Sequence, residues 1–311
     1  MAKKKVILIA EPEFSAAVAM SCAFLDPEID VLMVSAAAGH VDPETATCQI
    51  HSLIELLDPD RLPRIGTALP FLSATKTCPR NGNMGLEQTM LKPCSLHNPH
   101  PSDKFINEEI RRHAGEITIL ALGPLTALAR AFDRDIELPR MIKNIVIVGG
   151  TQAVSGHASP CAECHMFFDP IAARKVLHSG VPITMLPLDR TRSIHFSPSE
   201  LDQYFGGSNA ACQTLKKMLI PSVHAQAQTT GQESLYLEDV FGVVALVDCS
   251  CYKAKPITVD IEVHGELTRG MTVIDDRPHR QPPNVDWVLE VDHERIRQYL
   301  KRTLNEAKNG K

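Results

Sequence analysis

The sequence predicts an α/β protein with a mostly parallel central sheet and helices on both faces. Three observations carry that prediction. Apolar, β-branched runs recur through the first two thirds of the chain. Each gives way to a stretch whose apolar residues keep helical spacing. The runs are also near-continuous instead of alternating, as strands are when both of their faces are covered.

Lys5-Val6-Ile7-Leu8-Ile9 is the first strand, and the small-residue segment Ser15 to Leu25 the first helix. Asp30 to Ser35 is a second strand. Pro43 to Leu57 follows as a helix, with Ala46, Ile50, Leu53, Ile54 and Leu57 on one face. Strands are expected at Ile117 to Leu122, Asn144 to Val148 and Ile183 to Leu188, with helices starting near Leu125, Asp169 and Ser197. Residues 66–104 carry Pro, Asn, Gly, His and two Cys with little periodicity, and read as a long surface excursion. Thr258 to Val263 alternates like a strand that pairs with Gly270 to Ile274, and His293 to Ala307 is a closing amphipathic helix. Length alone gives a soft prior of two domains. One domain over 1–311 is the expectation here, since about 300 residues can bury roughly 75% of their unfolded surface.

Composition excludes several classes. Hydrophobic residues make up 44% and charged ones 22%, which is globular usage and not that of a disordered chain. The net charge of −5 offers no footprint for nucleic acid. No apolar run approaches the roughly 20 residues of a membrane helix, so no membrane partner is expected. The start, Met1-Ala2-Lys3-Lys4-Lys5, shows no signal-peptide cleavage pattern, so a cytoplasmic, reducing setting is expected. Most of the nine cysteines should then be buried thiols.

In parallel sheets, ligands bind beyond the carboxyl ends of the strands. That places weight on Glu11–Ser15, Gly39–His40, Gly123–Thr126, Gly149–His165 and Asp189–Thr191. Across these loops the chain resembles the inosine–uridine nucleoside hydrolase family over essentially its whole length. Ala121-Leu122-Gly123-Pro124-Leu125-Thr126 is similar to the family's ALGPLTN segment. Val148-Gly149-Gly150 with Gly156-His157-Ala158-Ser159-Pro160-Cys161-Ala162-Glu163-Cys164-His165 resembles MGG…GNxTPxAEFN, followed by Asp169-Pro170. Leu237-Glu238-Asp239 stands at the His-Asp motif, and Glu266-Leu267-Thr268-Arg269-Gly270 at the ELTRG strand.

The resemblance implies a nucleoside-hydrolase-like fold, N-glycosidic bond hydrolysis of a nucleoside-like small molecule, a calcium ion, and a homo-oligomer, dimer or tetramer. The opening signature DxDPGxDD departs from the family. It reads Ile9-Ala10-Glu11-Pro12-Glu13-Phe14-Ser15-Ala16. Of the implied calcium ligands, Glu11, the backbone carbonyl of Thr126 and Asp239 remain, and Ala16 supplies none. Calcium seeks about 6–8 hard oxygens, so the expected site is weak, altered or lost. The implied substrate contacts are Ser15, His40, Asn81, His157, Glu163 and His165, with histidine at three family asparagine positions. The family's leaving-group histidine is Glu238.

Two catalytic roles follow: Glu11 as the base for water and Glu238 as an acid of raised pKa protonating the departing nucleobase. Imidazoles beside carboxylates also suit a transition metal better than calcium, using some of His40, His157, His165, Glu11 and Asp239. The alternatives stay open: a remodelled hydrolase, a non-catalytic relative that binds a nucleoside-like ligand or a partner, or transition-metal or redox chemistry. Cys161-Ala162-Glu163-Cys164-His165 spells the CxxCH string of haem attachment. No haem is expected, because the string lies on a family segment without one. The two cysteines form a redox pair or simply line the pocket.

Overall fold

The computed structural model describes residues 2–73 and 99–305. The chain runs β1 (Lys4–Ala10), α1 (Phe14–Leu25), β2 (Ile29–Ala36), α2 (Pro43–Leu57), β3 (Arg64–Gly66), α3 (Ser102–Arg112), β4 (Thr118–Leu122) and α4 (Thr126–Arg134). It continues through β5 (Asn144–Val148), α5 (Cys164–Phe168), α6 (Pro170–Leu177), β6 (Ile183–Leu186), α7 (Leu188–Thr191) and α8 (Pro198–Tyr204). Last come α9 (Ala210–Thr230), α10 (Glu238–Val247), β7 (Tyr252–Ile261), β8 (Thr272–Asp275), β9 (Val285–Val291) and α11 (His293–Asn305).

The nine strands form one sheet in the order β3-β2-β1-β4-β5-β6-β9-β7-β8. Pairing is parallel from β3 across to β9. It turns antiparallel only at β9–β7 and β7–β8. Alternation along the central strands divides the interior in two. Val6, Leu8, Ala10, Leu120, Leu122, Val146 and Val148 face α1, α2, α9, α10 and α11. Ile7, Ile9, Ile119, Ala121, Ile145 and Ile147 face α3, α4 and α6.

Local chemistry fixes several boundaries. Asp42 caps α2 by accepting from the Glu44 and Thr45 N–H groups, with Pro43 in the first turn and Asp58 left-handed at the end. Asp169 and Ser197 cap α6 and α8, each again followed by proline.

Three expectations are corrected. β6 stops at Leu186, because Pro187 cannot extend the ladder and α7 begins after it. Residues 266–270 form a turn, not a strand, ending on Gly270 at φ 75 and pressed against the Phe167 backbone. Cys249–Cys251 is a single 3₁₀ turn. The excursion begins and ends in ordered structure, since Gly66 closes β3, Thr67 bridges to Pro101 and α3 starts at Ser102. Among the described cysteines, Cys22, Cys161, Cys164, Cys212, Cys249 and Cys251 are free, while Cys48 is disulfide-bonded. No described helix is long and apolar enough to cross a membrane.

Candidate active site

Glu11 follows directly on β1. Its N–H donates to the Leu122 carbonyl at the end of β4, at 3.2 Å. Its carboxylate is buried and lies on Gly39, where a Cβ would collide with all three carboxyl atoms. Glycine is needed there for close approach, not for a special backbone angle. Glu11 Oε1 accepts from the His40 backbone N–H and lies 2.7 Å from His40 Nδ1. The same ring nitrogen is 2.8 Å from Glu13 Oε1. The His40 ring meets Phe168 edge-on, with centroids 5.1 Å apart. Glu11 Oε2 is buried without a hydrogen-bond partner among the described residues.

The loop after β5 brings the second carboxylate. Gly149 and Gly150 turn the chain with φ 152 and 76, and Glu163 returns to cap α5. It accepts from the N–H groups of His165 (2.9 Å), Gly150 (3.1 Å) and Met166 (3.2 Å). Burial opposes its charge, but His165, His157 and these N–H groups hold it below the ordinary glutamate range. His165 Nδ1 lies 3.0 Å from the Val148 carbonyl, so Nδ1–H is the donor and Nε2 is 3.9 Å from Glu11 Oε2. Burial works against a charged His165, yet Glu163, Glu11 and Asp239 raise its pKa to about 9. His157 Nδ1 is 2.7 Å from Cys164 Sγ, and its Nε2 is 3.7 Å from both Glu163 and Glu238.

The N-terminus of α10 closes the far side. Gly242 lets this helix settle on Leu120 and Val148, which carries Glu238 and Asp239 to the strand ends. The Asp239 N–H donates to Ser15 Oγ at 2.9 Å. Burial raises the Asp239 pKa to about 8, with His165 opposing and Glu13 and Glu238 adding to the rise. Glu238 Oε1 accepts from Arg192 Nε at 2.5 Å, and the guanidinium lies over the Tyr236 ring.

These groups surround one cavity, lined by Glu13, Ser15, His40, His157, Glu163, Cys164, His165, Tyr236, Glu238, Asp239 and neighbours from α9. A family model described as inosine-uridine preferring nucleoside hydrolase matches residues 12–298. The chain belongs to that family. An uncharacterised Schizosaccharomyces pombe protein is 31% identical over 95% of this chain and 97% of its own. Uridine nucleosidase 1 of Arabidopsis thaliana is 29% identical over 97% and 93%. The solved purine-preferring ribonucleoside hydrolase from Gardnerella vaginalis superposes with a TM-score of 0.86 at 22% identity, covering 98% of this chain and 99% of that one, which shows the shared fold.

Among the residues expected at a nucleoside hydrolase site, Ser15, His40, His157, Glu163, His165, Glu238 and Asp239 line the cavity. Glu11 lies just beneath it, behind His40 and His165. Thr126 does not line this cavity; its hydroxyl donates to Asp169 Oδ2 at 2.7 Å, while the ligand the resemblance implies is its backbone carbonyl. Asn81 lies outside the described residues. Glu238 reaches the cavity with Oε1 on Arg192 Nε and Oε2 3.7 Å from His157 Nε2. Cys161 and Cys164 take different partners, Cys161 the Leu267 carbonyl and Cys164 the His157 ring. Sequence reasoning missed Glu13, Arg192 and Tyr236. Glu13 stands at a glycine position of the family signature, and neither of the others sits in a motif.

Proposed function

We propose that this nucleoside hydrolase family member cleaves the N-glycosidic bond of a ribonucleoside or related riboside, using carboxylate–imidazole pairs in place of the family's calcium-centred chemistry. The observation that carries this reading is the buried Glu11 carboxylate, held by His40 with its second oxygen unpartnered. A buried anion in that state, one imidazole away from a cavity, is suited to drawing a proton from water.

Cleavage passes through an oxocarbenium-like sugar, so anionic surroundings lower the barrier. Glu163 supplies a fixed negative charge and anchors the sugar. Glu238 adds a second charge and places Arg192 and Tyr236 where a departing nucleobase would lie. Proton donation to that base is assigned to Glu238 together with His157, whose Nε2 lies 3.7 Å from Glu238 Oε2. Ser15, His40 and His165 complete the substrate wall, with Asn81 retained from the family resemblance.

Calcium fits these residues poorly. Ser15 Oγ is engaged by the Asp239 N–H, Ala16 offers no donor, and an imidazole occupies the heart of the cluster. Hard oxygens are too few for an ion that seeks about 6–8. No step is therefore assigned to calcium, and its affinity is expected to be weak. The family resemblance further suggests a homo-oligomer, dimer or tetramer.

The test is release of ribose from a panel of purine and pyrimidine nucleosides by the purified chain. Wild-type protein should turn over at least one, and Glu11→Gln should lower kcat by about 10²–10⁴-fold. Full activity in Glu11→Gln would contradict the assignment.

A further inference from the structure

We propose that Glu11, Glu13 and His40 form a binding site for a divalent first-row transition ion, with both carboxylates and the His40 ring as ligands. This goes beyond the hydrolase reading, in which Glu11 acts as a base in the ion-free protein, and does not depend on turnover. One ligand atom from each of the three lies within 4.8 Å of the others. His40 Nδ1 is 2.7 Å from Glu11 and 2.8 Å from Glu13, so two carboxylates converge on a single ring nitrogen. At most one proton can sit at that nitrogen, and it must be shared between two anions that repel each other. A divalent ion at the same point offsets both charges.

The residue types select the class of ion. Imidazole is a good ligand for zinc, iron and their neighbours, carboxylate serves zinc and manganese, and calcium prefers oxygen alone. Ligand bonds of about 2.0–2.2 Å hold neighbouring donors roughly 3.4 Å apart around a tetrahedral ion. The His40–Glu11 and His40–Glu13 separations need to open by only a fraction of an ångström to reach that spacing.

A second, independent feature points to the same place. Glu11 Oε2 is buried without a hydrogen-bond partner among the described residues, and such an oxygen is costly unless something compensates it. Gly39 leaves the space for this carboxylate, since any Cβ there would overlap it. The cluster also joins two strand ends. Glu11 and Glu13 follow β1, and His40 follows β2, so the ligands are carried on the central parallel pair and not on one mobile turn. Glu13 is the residue that makes the set, and nothing in the family signature foretells it.

The experiment uses untagged full-length protein stripped of metal, then mixed with ZnCl₂, MnCl₂ or CaCl₂. Bound metal is measured by elemental analysis after desalting, and Tm is followed against ion concentration. The expected result is one equivalent of zinc or manganese per chain, with Tm rising by roughly 4 °C once the ion is at about 100 times Kd. Calcium at the same concentration should leave Tm unchanged. Glu13→Gln and His40→Asn should each abolish both the bound equivalent and the shift. Should His40→Asn fail to fold by circular dichroism, the near-isosteric Glu13→Gln decides alone. Three outcomes overturn the proposal: no retained metal, an undiminished shift in Glu13→Gln, or stabilisation by calcium equal to that by manganese. None of these depends on ribose release, so a protein that binds the ion but hydrolyses nothing would overturn only the hydrolase reading.

Discussion

Glu163 illustrates how one side chain serves both folding and the site. Its two oxygens take three backbone N–H groups from separate segments, while His157 and His165 face it from the cavity side. Glu163→Gln should cost about 1–3 kcal/mol at neutral pH, the range for hydrogen bonds to a charged group. The sign of the pH dependence follows from its lowered pKa. Such a carboxylate contributes stability above its unfolded pKa of about 4.3 and loses that contribution as pH falls through the folded value. Urea midpoints of wild type and variant should therefore differ at pH 7 and converge in acid. A difference that persists unchanged in acid would show that packing, not charge, sets the loss. At this scale the sequence was partly legible. Glu11, His40, Glu163 and His165 stand in loops that follow strands, where ligands gather. Glu13 was not legible, because only the fold reveals that its carboxylate and that of Glu11 share one imidazole nitrogen.

Elements with strong end signals were read closely, and those without were not. Asp42-Pro43 and a left-handed Asp58 bracket α2 at the residues expected from its apolar spacing. The end of β6 was overrun, since Leu186, Pro187 and Leu188 read as a continuing apolar run until the proline is weighed. α10 gave no helical signal, because Val240-Phe241-Gly242-Val243-Val244 is apolar all round and cannot be told from a strand by period. Yet α10 sets the far wall of the cavity. A Cβ on Gly242 would come within 2.7 Å of both Leu120 Cδ1 and Val148 Cγ2. Gly242→Ala should therefore destabilise by about 1–3 kcal/mol through overpacking. It should also weaken catalysis by shifting Glu238 and Asp239. Thermal unfolding and ribose release, measured together, check the link; a variant altered in neither would show that the helix position is not tight.

At the level of the whole molecule, both interior clusters share the same strands, β1, β4 and β5, and neither could form without them. The antiparallel pair β7–β8 extends that sheet through β9 instead of building a second body. A single calorimetric transition is expected, with fluorescence of the buried Trp287 changing alongside far-UV circular dichroism. Two separated transitions would mean that part of the chain folds on its own. The order of alternating strands and helices made this architecture legible early. The site was harder to read, because residue identities alone do not say which charges meet.

On the proposed reading, this site works without the calcium ion of its family. Ribose release by purified protein across a CaCl₂ titration addresses the point most directly. Release should occur before calcium is added and should stay level as the concentration rises into the millimolar range. A rate that depends on calcium and saturates at micromolar concentrations would contradict the account.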